Sequence, residues 1–154
     1  MDIALLADHP ELIPELAGWF HREWPETSAN YDSAERLRQF SVRDTIPMSF
    51  VALEQASPIG TASLLSESVH SHRHLSPWVG GLYVIPERRH QGVATQLISV
   101  AVRAAASLGE SIVYMGISAA GDFYERTGWI YEAQGRAGDD EVMIFSMTSP
   151  GPPR

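Results

Sequence analysis

The apolar positions of this chain fall into a few distinct rhythms. Leu12, Ile13, Leu16, Ala17, Phe20 and Trp24 recur at three- and four-residue steps, which predicts an amphipathic helix opening at His9-Pro10-Glu11 and stopping at Pro25. Ser33–Phe40 predicts a shorter helix, with Ser33 as its N-cap. Asp2–Leu6 has the look of an opening strand, and Ser49–Glu54 and Ile59–Leu65 of two strands paired across Ala56-Ser57-Pro58. A polar connection, Ser66–Pro77, leads to another strand at Trp78–Val84, where Gly80-Gly81 signals a bulge or a close backbone approach. The longest helical rhythm runs through Val93, Leu97, Val100, Ala101, Ala104 and Leu108 and is capped by Gly109. Ser111–Ser118 predicts a strand, Asp122–Thr127 a short helix stopped by Gly128, and Trp129–Ala133 and Glu141–Met147 closing strands. Strands interleaved with helices, with no repeat and no linker, imply one α/β (α+β) domain over residues 1–148. Ser149–Arg154 (SPGPPR) is expected to be a flexible tail.

Composition narrows the chemistry. At 154 residues there is room for one core. The absence of cysteine excludes disulfides, Cys-ligated zinc, thiol nucleophiles and thiol redox chemistry. Lysine is absent as well, so a GxxxxGK[ST] phosphate loop and Schiff-base chemistry are excluded. A net charge of −8 argues against a nucleic-acid partner and tilts toward a cationic one. No apolar run reaches the ~18 residues of a membrane span, and no basic-then-apolar leader opens the chain, so the expected location is cytoplasmic with no membrane partner.

The segment that carries chemistry is Leu82–Thr95, LYVIPERRHQGVAT. A strand runs into a basic, Gly-containing loop that opens directly into the long helix. The first amides of a helix lack internal acceptors and carry roughly half a positive charge, which makes such a terminus a good phosphate site. Gly92 and the small Ala94 leave room for an anion, and Arg88 and Arg89 add positive charge.

Arg89-His90-Gln91-Gly92-Val93-Ala94 resembles the R/Q-x-x-G-x-G/A signature of the GNAT superfamily of acyl-CoA-dependent N-acetyltransferases. Asp122-Phe123-Tyr124-Glu125-Arg126-Thr127-Gly128-Trp129 resembles the second block of that family, with one helix and one strand between the two. The resemblance covers nearly the whole chain. It implies a mixed, mostly antiparallel central sheet flanked by helices and splayed between strands 4 and 5. It also implies acetyl-CoA as cosubstrate, no metal, and direct transfer to a primary amine of an unidentified small molecule or peptide in a ternary complex. A homodimer is compatible with the family.

Carried over by position, the backbones of Leu82, Tyr83 and Val84 would hold the pantetheine arm, with the Leu82 amide on the thioester oxygen. The amides of His90, Gln91, Gly92, Val93, Ala94 and Thr95 would cradle the pyrophosphate, with Arg89 also among the cofactor-binding residues. Phe123 would pack on the pantetheine, and Tyr124 would protonate the departing thiolate, a role suited to a phenol of pKa ~10.

Two positions depart from the family pattern. Where several members carry a basic Glu on strand 4 this chain has Trp78, and where an Asn is common at the end of strand 5 it has Ile117. Glu67, His70, His72 and His74 are the nearby substitutes for a base. The alternate histidines carry no carboxylate partner and do not make a metal site on their own. Glu23, Trp24 and Trp78 are candidates for contacting a cationic acceptor, against the plainer reading of Trp24 as a continuation of the core stripe. A non-catalytic acyl-CoA-sensing domain is the alternative function, supported by the missing strand-4 Glu.

Overall fold

The computed structural model describes residues 1–25, 32–118 and 127–149. In chain order it contains β1 (Asp2–Leu5), α1 (Ile13–Glu23), α2 (Ser33–Gln39), β2 (Met48–Glu54), β3 (Ser57–Leu65), β4 (Trp78–Val84), α3 (Val93–Ser107), β5 (Ile112–Ile117), β6 (Ile130–Ala137) and β7 (Asp140–Thr148). The strands form a seven-stranded sheet in the order β1-β2-β3-β4-β5-β7-β6. It is a mixed α+β fold: β1 and β2, β5 and β7, and β6 and β7 run antiparallel, whereas β4 and β5 run parallel, with Trp78 opposite Tyr114 and Val79 opposite Met115. Contacts divide the chain into two compact units, Met1–Ser63 with Gly81–Val100, and Leu64–Gly80 with the described residues from Ala101 onward.

The first unit carries the segment singled out above. β2 is buried along nearly its whole length because both of its faces are covered, the pattern of an interior strand. On one face Val51, Leu53 and Tyr83 pack with Ile13, Leu16, Ala17 and Trp19 of α1 and Leu37 of α2. On the other, Gly60 of β3 faces Val93 and Leu97 of α3. On β2 and β3 the buried hydroxyls are paired: Ser49 and Ser63 share a 2.6 Å hydrogen bond, and Thr61 Oγ1 donates to Phe50 O at 2.7 Å.

Several local expectations are corrected here. Pro10–Leu12 is a 3-10 turn and the α-helix begins only at Ile13, with Pro14 in its first turn. Trp24 does not extend the core stripe; it is 38% exposed, because the chain leaves helical geometry at this residue (φ −126°), and Trp19 supplies the buried indole instead. The N-cap of α2 is Asp32, whose Oδ1 accepts from the amides of Ala34 and Glu35 at 3.0 and 3.2 Å. Ser33 is buried one residue further in, and its hydroxyl has no partner. The β2–β3 turn is Gln55-Ala56, both left-handed (φ 51° and 68°), so Pro58 lies inside β3 rather than in the turn. Along α3, Ile98, Val102, Ala105 and Ala106 are fully buried, while Val100, Ala104 and Leu108 are only half-buried.

The second unit packs Val69, Trp78, Val142 and Ile144 together, with Tyr114 and Leu75 against them. β6 and β7 form a hairpin whose register shifts between Tyr131 and Ala133. Ser149 is buried and hydrogen-bonds Ser111 through its amide and Glu110 through its hydroxyl. Residues 150–154 lie outside the described residues, as do 122–126 of the expected short helix.

Replacing Asp32 by Ala removes a two-amide cap and is expected to cost about 1 kcal/mol in denaturant unfolding. Ser33→Ala removes only a buried, unpaired hydroxyl and is expected to be neutral or stabilising.

Candidate active site

The strand β4 ends in a 3-10 turn, Pro86–Arg88, and a loop then leads into α3. His90 is left-handed (φ 63°), and so is Gly92 (φ 84°), whereas Gln91 between them does not have a positive φ and Val93 opens the helix. Left-handed residues spaced in this way before a helix are the kind of backbone from which anion nests are built. A histidine in this region is strained, and such strain persists where the surroundings impose it. The first helical bond is from Gln96 N to Gly92 O, 3.1 Å, so the amides of Val93, Ala94 and Thr95 have no acceptor within α3. No acidic side chain occupies the first turn. A helix start without an internal anion has the dipole and the donors of an anion site still available.

Glycine at 92 is needed for a different reason from the one the sequence suggests. A Cβ there would meet nothing within 4 Å, so the requirement is the left-handed backbone and not space. Space matters instead at Gly60, which the sequence reading passed over. A Cβ on Gly60 would sit 3.1 Å from Tyr83 O and from Leu97 Cδ1, and 3.2 Å from Val93 Cγ1. This glycine lets the first turns of α3 lie directly on β3 and β4. The available signal was a glycine inside an apolar strand run, which marks close backbone approach.

Neither arginine of the loop is an unengaged cation. Arg88 Nη2 pairs with Glu54 Oε1 at the end of β2, at 2.5 Å. Both partners are more than a third exposed, so the pair fixes the loop more than it stabilises the fold. Arg89 donates from Nε to Val84 O at 2.8 Å and lies over the Tyr83 ring, 5.4 Å from its centroid. The Tyr83 ring is itself buried against Trp19, so this residue offers a ligand its backbone and not its side chain. Leu82 is half-buried and Val84 buried. Gly81, immediately before Leu82, is left-handed (φ 58°), a conformation that glycine adopts readily.

The other candidates separate. Trp24 is exposed at the end of α1, next to the exposed Glu23. Trp78 is fully buried and its indole N–H donates to Leu75 O at 2.7 Å, so it presents no surface to an acceptor and drops out of the acceptor wall. His72 stacks near His74, 5.7 Å between centroids, and its Nδ1 is 2.8 Å from Ser71 Oγ, which also accepts from the Arg136 amide at 2.9 Å. These bonds tie the connection to β6. Among the described residues no three His, Asp or Glu side chains are grouped as metal ligands, and no helix is long and apolar enough to cross a membrane. Phe123 and Tyr124 lie outside the described residues.

Comparison with known proteins bears directly on this arrangement. Residues 13–129 match the model of the acetyltransferase (GNAT) family. The chain belongs to the GNAT family. The matched span holds α1, β4, the loop that follows it and α3. No curated protein matches the sequence. Among solved structures, aminoglycoside 6′-acetyltransferase type Ii is 19% identical, with 99% of this chain and 100% of that one covered and a TM-score of 0.77. An aminoglycoside 6′-N-acetyltransferase complexed with coenzyme A is 18% identical over 100% of both chains, with a TM-score of 0.76. A putative acetyltransferase from Salmonella typhimurium with its cofactor acetyl-CoA is 17% identical over 97% and 94%, with a TM-score of 0.73. As a GNAT protein, the chain is an acyl-CoA-dependent N-acetyltransferase.

The two glycines are expected to fail differently. Gly92→Ala forces a side chain into the left-handed region, at a cost of about 1–2 kcal/mol, and weakens CoA binding by distorting the nest. Gly60→Val pushes α3 off the sheet and lowers stability by about 1–3 kcal/mol. Thermal unfolding of each variant with and without CoA separates the two effects.

Proposed function

We propose that this GNAT enzyme transfers the acetyl group of acetyl-CoA to a primary amine of a cationic acceptor, directly and without an acyl-enzyme. The observation that carries the reading is the pair of left-handed residues, His90 and Gly92, at a helix start with no acidic side chain in its first turn, a donor array suited to a pyrophosphate. Acetyl-CoA supplies the activated acyl group when bound. The amides from His90 to Thr95 hold its phosphates, and the backbone of Leu82–Val84 receives the pantetheine arm. The Leu82 amide polarises the thioester oxygen, which makes the carbonyl carbon open to attack. The free amine nitrogen forms the new C–N bond as the C–S bond breaks; the phenol of Tyr124 gives its proton to the sulfur, the amine proton passes to solvent water, and the phenolate is reprotonated from solvent. Holding both reactants in one site supplies the rest, since no covalent nucleophile is required. Residues 1–148 act as a single catalytic domain in this reading.

The acceptor class follows from charge. The chain carries −8, and Glu23 with the exposed Trp24 offers an anionic and aromatic contact at the end of α1. Two of the similar structures are aminoglycoside acetyltransferases, which supports a polycationic amine.

The test has two stages. Acetyl-CoA should raise the unfolding temperature whereas ATP and NAD should not; at ~100 times its dissociation constant a ligand adds about 2.7 kcal/mol. Free thiol should then appear with an aminoglycoside or a polyamine and not with a neutral amine-free sugar. In the same assay Tyr124→Phe is expected to lower kcat by about a hundredfold while leaving the CoA dissociation constant unchanged. A kcat within a factor of about two of wild type would place leaving-group protonation elsewhere.

A further inference from the structure

We propose that Tyr83 is a positioning residue that couples the cofactor loop to the acceptor side of α1, an inference that rests on the cradle reading of His90–Thr95. Its ring is the meeting point of two elements that otherwise serve different ligands. From α1 come Trp19, 5.3 Å away with a 30° tilt, and Trp24, 6.3 Å away and edge-on. From the cofactor loop comes the Arg89 guanidinium, 5.4 Å from the same ring. Phe20 continues the cluster: its ring is 5.5 Å from that of Trp24, and its Cζ would lie 3.9 Å from a Cβ on Gly81 of β4.

The order of burial gives this stack a direction. Trp19 and Tyr83 are 4% and 9% exposed, whereas Trp24 is 38% exposed. A buried ring therefore holds an exposed one, and that same buried ring is where the loop arginine rests. Arg89 is also tied to Val84 O through Nε, so its guanidinium can move only by rotating over the Tyr83 face or leaving it. An anion arriving at the neighbouring amides attracts this cation and changes its contact with the ring, a contact whose strength depends on where the charge sits. The ring transmits that change to Trp24, because the edge-on contact has no slack on its buried side. Binding of the cofactor thus sets the position of the acceptor-side indole. The phenol hydroxyl plays no part; the ring does.

Trp24 is a convenient reporter, since the other tryptophans, at positions 19, 78 and 129, are at most 4% exposed. Acrylamide quenching of tryptophan emission therefore reads Trp24 selectively, and Trp24→Phe should abolish the quenchable component. The full chain is titrated with CoA to saturation, checked in every variant by the thermal shift. Wild type and Tyr83→Phe should both show a CoA-dependent change in quenching. Tyr83→Leu should bind CoA and lose that change. Should Tyr83→Leu fail to fold, Arg89→Gln at an exposed position breaks the stack from the solvent side and should give the same loss. Binding of CoA with no change in wild-type quenching overturns the coupling while leaving the cradle intact. A change that survives in both Tyr83→Leu and Arg89→Gln overturns it too. Absence of any CoA-induced thermal shift in wild type overturns the cradle and the coupling together.

Discussion

In the proposed reading, the amides at the start of α3 are left unsatisfied by the protein and yet held in a fixed arrangement. Those two demands oppose each other, because a free helix terminus normally recruits a capping side chain. Here no acidic residue enters the first turn, and the residue where a cap would sit is Gly92. Rigidity comes from behind instead: Arg88 is bound to Glu54, Arg89 to the Val84 carbonyl, and Gly60 allows Val93 and Leu97 to seat on the sheet. The strain in His90 is maintained by the same surroundings.

The support for this arrangement is layered in a way that assigns each element a task. β2 and β3 form a fully buried floor, with paired hydroxyls where polar groups fall inside. α1 and α2 cover one face of that floor, and α3 meets Gly60 on the other. In the aromatic cluster around Tyr83, residues from α1 and Arg89 of the loop before α3 touch the same ring. In the proposed reading, the cofactor site and the acceptor contact are therefore built from adjoining parts of one unit of the chain.

Much of this was legible in the residues, for identifiable reasons. The strand Trp78–Val84 and the entry into the long helix are dictated locally, by an apolar run, a loop and a glycine that the backbone requires. The two-block resemblance extended that reading to the fold class. What escaped was set by neighbours distant in sequence or by unusual residue choices. Gln55-Ala56 is not a typical left-handed turn pair, so the neighbouring Ser57-Pro58 gave a false boundary. Asp32 and Ser33 are both good caps, and only the chain direction chooses between them. Trp19 and Trp24 both lie near the stripe of α1, and the end of the helix decides which is buried. Gly60 acts only because α3 and the Tyr83 carbonyl approach it. The engagement of Arg88 and Arg89 was invisible for the same reason.

The most direct measurement is the movement of individual backbone amide signals in two-dimensional nitrogen–proton NMR spectra, during titration with CoA and, separately, with pantetheine. Pantetheine has the thiol arm but no pyrophosphate. The account predicts that CoA shifts the amides from His90 to Thr95 and that pantetheine leaves them in place. If CoA leaves these amides unmoved, or pantetheine shifts them equally, the helix start is not a phosphate cradle and the account of the site is wrong.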